Sequence, residues 1–242
     1  MKRSHFEVGE TAVTILSEPG FLDAARGSIF ETREVIQRQI DRDPFFRDTL
    51  EPYHPRDEVD PIIQRMCDAS ARARVGPMAT VAGIVAEEAV RAMVAEGARN
   101  AVVDNGGDIA MFLSEGIVVG LHTGTSLSDV GFECLPRDSV YGVCTSSGTV
   151  GPSISFGRAD AATIIAEDVV LADACATRLG NMISDDDEGT ISSALDAISS
   201  IEGVGGALVV AGGNVAMKGR LPGLVRMGET ESRVARRMFT IG

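Results

Sequence analysis

The stretch VVDNGGDIAM at 102–111 is echoed at 209–217 by VVAGGNVAM. Each runs a short apolar strand into a Gly-Gly pair, sets a small polar residue after it and enters a second apolar strand. Glycine takes positive φ without the Cβ clash that other residues suffer, so a Gly-Gly step between apolar strands signals a hairpin. Working outward, each copy follows a helix-forming segment, which gives a helix–strand–turn–strand unit twice in one chain. The expectation is an α+β fold, a single domain over 1–242 with duplicated halves, approximately 1–125 and 126–242. For the second copy a hairpin alone is a sufficient account, because Asn214 is its only polar handle.

The rest of the chain supplies the layers around these hairpins. Residues 6–16 alternate as a strand with Gly9 interrupting, and 23–46 reads as a helix with Ile29, Val35, Ile36 and Ile40 at helical spacing. The Pro-rich stretch 51–77 reads as a loop framing one short helix. Residues 77–97, PMATVAGIVAEEAVRAMVAEG, open on proline and close on glycine. That pattern predicts a mostly buried helix whose polar stripe is Glu87, Glu88 and Arg91. Further strands are expected at 117–121, 139–148 and 161–167, helices over LADACATRLGNMI and TISSALDAISSI, and an edge strand in the tail 218–242. The acidic run SDDDEG between those helices lacks the alternating ligand spacing of an EF-hand loop and reads as a solvated loop.

The bulk numbers exclude several classes of partner. A formal charge of −13 repels phosphate backbones and anionic membrane surfaces, and no basic patch offsets it. Neither nucleic acid nor membrane is therefore expected as a partner. The N-terminal stretch lacks the apolar core of a signal peptide. The four cysteines carry no C-x-x-C spacing and pair with none of the three histidines, which suits a reduced cytoplasmic protein without structural zinc.

Two clusters carry candidate chemistry. Asn105 and Asp108 flank Gly106 and Gly107, setting an amide and a carboxylate beside backbone N–H groups that no Cβ shields; Asp108 is the candidate catalytic acid or base. CTSSGT at 144–149 adds small donors, Ser146, Ser147 and Gly148, at a strand end, able to face a phosphate or carbonyl. In LADACATRL, Asp173 and Thr177 lie one helical turn apart and offer two hard oxygen ligands for Mg2+. Spacing alone favours the plainer reading, in which Asp173 caps the N-terminus of its own helix and Thr177 is satisfied by the backbone.

In order, AGIVAE (82–87), NGGDI (105–109), TSSGT (145–149) and ADACAT (172–177) resemble the motifs of the ApbE family, the FAD:protein FMN transferases, and in particular a sister group with a shortened chain. The resemblance implies the ApbE-type fold. It implies a Mg2+ held by Asp173, Thr177 and a backbone carbonyl near Val85. It further implies a FAD or other phosphorylated ligand lined by Asn105, Gly106, Gly107, Ser146, Ser147 and Gly148, with FMN passed to an acceptor protein. The chain departs from the pattern where Ala86 stands for the family's lysine and Glu87 for its following glycine. SISFGRADAAT replaces the family's H-I-I-D-P segment, and Arg158 there is a candidate substitute cation. The rival readings are a noncatalytic homo-oligomeric binding or assembly protein, and an enzyme acting on a small anionic metabolite. Apolar helices and strand edges lead us to expect a homo-oligomer.

Overall fold

The computed structural model describes residues 1–121, 130–147 and 157–227. Its chain opens with β1 (Lys2–Val8) and β2 (Thr11–Ser17), a hairpin turned by Gly9 at φ 56° rather than the single strand its alternation suggests. Helix α1 (Leu22–Arg42) buries Ile29 and Ile36, and the four-residue α2 (Phe45–Asp48) follows it. Helix α3 (Pro61–Ala73) starts with proline at its first position and Asp60 capping Ile62 N–H. A 3-10 turn, Pro77–Thr80, then leads into α4 (Val81–Ala95). The predicted helix over 77–97 is thus two elements.

The first Gly-Gly hairpin joins β3 (Asn100–Asn105) to β4 (Asp108–Leu113), and β5 (Ile117–Gly120) comes next. Then come β6 (Val130–Cys134), β7 (Arg137–Ser146), β8 (Ala161–Ala166), α5 (Val169–Met182) and α6 (Glu188–Ser199). The second hairpin joins β9 (Val204–Ala211) to β10 (Asn214–Gly219), and β11 (Gly223–Arg226) is the last described strand.

Eight strands form one antiparallel sheet in the order β1-β2-β3-β4-β7-β8-β9-β10. Its two faces are buried differently. Val103, Ala110, Cys144, Ile164 and Val209 face the helices, whereas Val102, Met111, Tyr141, Ile165 and Leu208 face a second sheet, β11-β6-β5. Because side chains alternate along a strand, each central strand must be apolar on both faces, which is why these strands read as continuous apolar runs. No helix among the described residues is long and apolar enough to cross a membrane.

Both Gly-Gly turns have the two-residue form. Asn105 pairs with Asp108 and Ala211 with Asn214, and all four glycines take positive φ, from 56° to 102°. This shared geometry follows from the Gly-Gly step itself and does not establish a duplication of the halves. Both turns lie at the same end of the sheet, four strand spacings apart, about 19 Å at ~4.8 Å per strand. Asn214 therefore does not share a site with Asp108.

Helices α4 and α5 cross close above the sheet, and glycines let them do so. A Cβ on Gly83 would meet the Asp173 Cβ at 2.8 Å and the Val169 carbonyl oxygen at 2.9 Å. Gly83→Ala should therefore destabilise the fold by about 1–3 kcal/mol in denaturant titration, although alanine is the better helix former by ~1 kcal/mol. An unchanged or raised midpoint would show that the crossing has slack.

Candidate functional site

The site is built on that crossing. Thr80 makes no side-chain cap on α4; instead Asp173, from the second turn of α5, accepts from Gly83 N–H at 2.7 Å. Asp173 is not the cap of its own helix. Asp168 holds that position and accepts from Val170 and Leu171 N–H at 3.1 and 3.2 Å. Its place just before the apolar run VVLADA is an N-cap signal visible in the sequence. In return α4 caps α5, since Glu87 Oε2 accepts from Val169 N–H at 3.1 Å.

Glu87 is fully buried rather than part of an exposed stripe. Its Oε1 accepts from Arg65 Nη2 at 2.8 Å and from Arg91 Nε at 2.7 Å. Arg65 also holds Glu88 at 2.7 Å, so the carboxylate that replaces the family glycine is neutralised inside the helix layer. It adds no charge to the face below.

That face holds the chemistry. Asp108 opens β4 beside the first Gly-Gly turn and pairs across the sheet with Cys144 of β7, both on the helix side. Cys144 Sγ lies 3.7 Å from the Val169 carbonyl oxygen, and the thiol hydrogen-bonds with the Asp108 carboxylate. Although Asp108 keeps some accessible surface, its carboxyl is packed round by protein. Burial first, and then the charge of Asp173, push it well above the usual carboxylate range. Asp173 is raised by burial against the opposing pull of the Gly83 and Ala82 N–H groups. Burial, followed by Asp108 and Asp173, also raises Cys144. Two carboxyls that feel each other in a dry setting do not both ionise without a cation beside them; otherwise one keeps its proton.

A third acid lies on the opposite face of the same hairpin. Asp104 is 2% exposed, accepts from Gly107 N–H at 3.0 Å through Oδ1, and has no partner for Oδ2. Burial raises it to about 6 against the weaker opposing effects of Gly107 N–H, Arg3 and His5. Sequence reasoning passed over Asp104, although a carboxylate in an apolar strand run was its signal.

The other expected residues are placed as follows. Asn105 Nδ2 donates to the Ala82 carbonyl at 3.2 Å and so ties the turn to the start of α4. Gly106 is exposed, and Gly107 gives its N–H to Asp104. Ser146 lies two residues beyond Cys144 on the helix-side face of β7 and reaches α5 beside Gly180. Thr177, half-buried, stands one turn beyond Asp173 on α5, and Ser147 is half-buried at the end of β7. Val85 is buried inside α4, where helical carbonyls are normally bonded within the ladder. Arg158 is exposed and its charge is felt by Asp185 in the acidic loop. Ala86, at the family's lysine position, is fully buried. Gly148 and His122 lie outside the described residues.

The donor set fits Mg2+ in kind: Asp108 and Asp173 are hard oxygen donors whose mutual repulsion a divalent cation would relieve. Among the described residues there is no group of three or more His, Cys, Asp or Glu arranged for a metal. Any ion here would therefore draw its remaining ligands from Thr177, carbonyls, water or a ligand phosphate. The two tyrosines offer no stacking surface here. Tyr53 packs against Phe46 and donates to Asp43, and Tyr141 is buried in the layer between the sheets.

A sequence family described as AbpE bacteria matches residues 1–219. The chain is 46% identical over 226 residues to a UPF0280 protein of Methanocella arvoryzae, covering 93% of this chain and 91% of the relative. To a UPF0280 protein of Methanosarcina acetivorans it is 44% identical over 226 residues, covering 93% and 89%. Among solved structures, the apo flavinyl transferase ApbE of Pseudomonas stutzeri matches with TM-score 0.55 and 12% identity, covering 100% of this chain and 98% of that one. The ApbE protein of Thermotoga maritima matches with TM-score 0.56 and 14% identity, covering 95% and 98%. The chain belongs to the AbpE bacteria family and has the ApbE fold.

Two outcomes test this electrostatic picture. Asp104 has a folded pKa raised above its unfolded value of 3.8, so the folded state binds the extra proton and stability falls as pH rises from about 4 through about 6. Asp104→Asn should match the wild type at pH 4 and exceed it at pH 8, by roughly 1–3 kcal/mol. Equal stability at both would place the charge in a wetter setting. Glu87→Ala leaves Val169 N–H without its partner and takes a carboxylate from Arg91 and from Arg65, which keeps Glu88; it should cost about 1–3 kcal/mol in urea denaturation.

Proposed function

We propose that the protein binds a phosphorylated nucleotide cofactor through Mg2+ at Asp108 and Asp173, with FAD the first ligand to test. The observation that carries this reading is that Asp108, next to the Gly106–Gly107 turn, feels the charge of Asp173, which accepts from Gly83 N–H in the first turn of α4. In it, Asp108, Asp173 and Thr177 supply oxygen ligands, and Gly106 of the turn approaches the phosphates closely. Ser146 and Ser147 extend the donor row along β7. Bound Mg2+ would offset charge on the ligand phosphates, the role a lysine at the Ala86 position would otherwise share.

Solved relatives of the fold are described as flavin transferases, which supports pyrophosphate cleavage with FMN passed to an acceptor protein as the reaction to assay. As Mg2+ ligands, Asp108 and Asp173 would both be ionised, the cation taking the place of the proton that burial otherwise favours on the pair. The four cysteines are free and buried, which suits a reducing compartment such as the cytoplasm.

Calorimetric titration of FAD with and without Mg2+, with chromatography of FAD, FMN and AMP, tests this. The expected result is Mg2+-dependent binding, weakened at least tenfold (about 1.4 kcal/mol) by Asp108→Asn and by Asp173→Asn. The amide at 173 can still accept from Gly83, so that variant should stay folded. Binding indifferent to Mg2+ and to both substitutions would reject the site and leave a noncatalytic use of the fold.

A further inference from the structure

We propose that β10 is a self-association strand, pairing antiparallel with β10 of a second copy about a two-fold axis near Ala216. Among the described residues β1 and β10 are the edges of the large sheet, and the sequence treats them differently. Strand β1 carries Lys2, Arg3, His5 and Glu7, and its one aromatic residue, Phe6, is covered by Phe30 at 5.6 Å and by the Arg26 guanidinium at 5.4 Å. Charged and covered in this way, it is blunted against pairing. Strand β10 reads Asn-Val-Ala-Met-Lys-Gly and leaves Val215 42% and Met217 51% exposed on its face away from the helices. Among the described residues no strand pairs with its outer edge, and Lys218, ion-paired with Asp196, is its one charge, so a strand six residues long is left open to pairing.

The edge is also self-complementary. With the axis at Ala216, position 214 of one copy stands opposite 218 of the other, and 215 opposite 217. Val215 then meets Met217 of the second copy twice, an apolar cross-strand pair on each side of the axis. On the helix face, β10 and α6 border a groove of about 450 Å3 with a polarity along its length. Asp186 and Glu188 flank the Asn214 end, while Lys218, ion-paired with Asp196, marks the other. Antiparallel pairing brings the acidic end of each copy to the lysine end of its mate. An isologous two-fold contact requires this kind of matching of a patch to itself. The exposed surface of α6 beside the groove includes Ser192, Ser193 and Ala197, small enough for the two α6 helices to lie side by side. The strand lies about 19 Å from the carboxyl pair, so two such pairs would sit on one continuous sheet of sixteen strands, twice the eight of one chain.

Sedimentation equilibrium of the full chain from about 1 to 100 µM tests the proposal. A dimer of 25.4 kDa chains is expected. Val215→Lys with Met217→Lys, both at exposed positions, should give a monomer with an unchanged melting temperature. Lys218→Glu should weaken association at least tenfold, and adding Glu188→Lys to it should restore most of the loss, which a mere loss of the internal Lys218–Asp196 pair would not allow. A wild type that stays monomeric throughout would overturn the proposal and leave the groove to another partner. A dimer that survives the double lysine variant would overturn it as well, by placing the contact on a different face.

Discussion

Two helices that cap each other hold this structure together. The first turn of any helix leaves N–H groups without partners, and burying them unpaired is costly. Here α4 meets that demand with Asp173 of α5, and α5 meets part of its own with Glu87 of α4. Neither acid can be buried alone. Glu87 recruits Arg65 from α3 and Arg91 from its own helix, which draws α3 into the same lock. Small residues make the approach possible: Gly83 faces Asp173 and Val169, and Gly142 of β7 lies under Val169. Helix crossing, strand placement and charge balance are thus one constraint.

That constraint decides where negative charge remains. Glu87 is spent within the helix layer, so replacing the family glycine by glutamate leaves the sheet-side face unaltered in charge. Asp173 carries two duties there, as a cap and as the neighbour of Asp108. The Gly83 and Ala82 N–H groups and the partial positive charge of a helix N-terminus offset only part of the pair's charge. The remainder calls for a proton on one of the two carboxyls or for a cation beside them.

How much of this was legible in the sequence follows from how local each signal is. The Gly-Gly hairpins, the capped helices and the apolar strands declare themselves within a few residues, and they appear where expected. Strand β6 did not, because it is short and lacks a run of alternation long enough to register, whereas β11 is an edge strand within the tail where one was expected. Gly9 was read as an interruption when it was a turn. Contacts across long separations were not visible at all. Gly83 and Asp173 are ninety residues apart, so spacing showed that Asp173 and Thr177 share a helix face but not what the face meets. The competing explanation of Asp173 as an N-cap was right about the chemistry and wrong about the helix it serves.

The first hairpin draws these threads together. Because side chains alternate and the turn reverses the chain, Asp104 and Asp108 emerge on opposite faces of one sheet, each buried and each raised in pKa. They are joined through the turn itself, since Gly107 gives its N–H to Asp104 while Asn105 fastens the strand to α4. The charge of Asp104 is one of the lesser influences that raise Asp108. The second hairpin has the same turn with neither acid, only Ala211 and Asn214 at its corners. The difference between the two copies is then one of buried charge and not of backbone. Any chemistry the fold performs should be sought where the carboxyls are, and the plain copy is left available for contact between molecules.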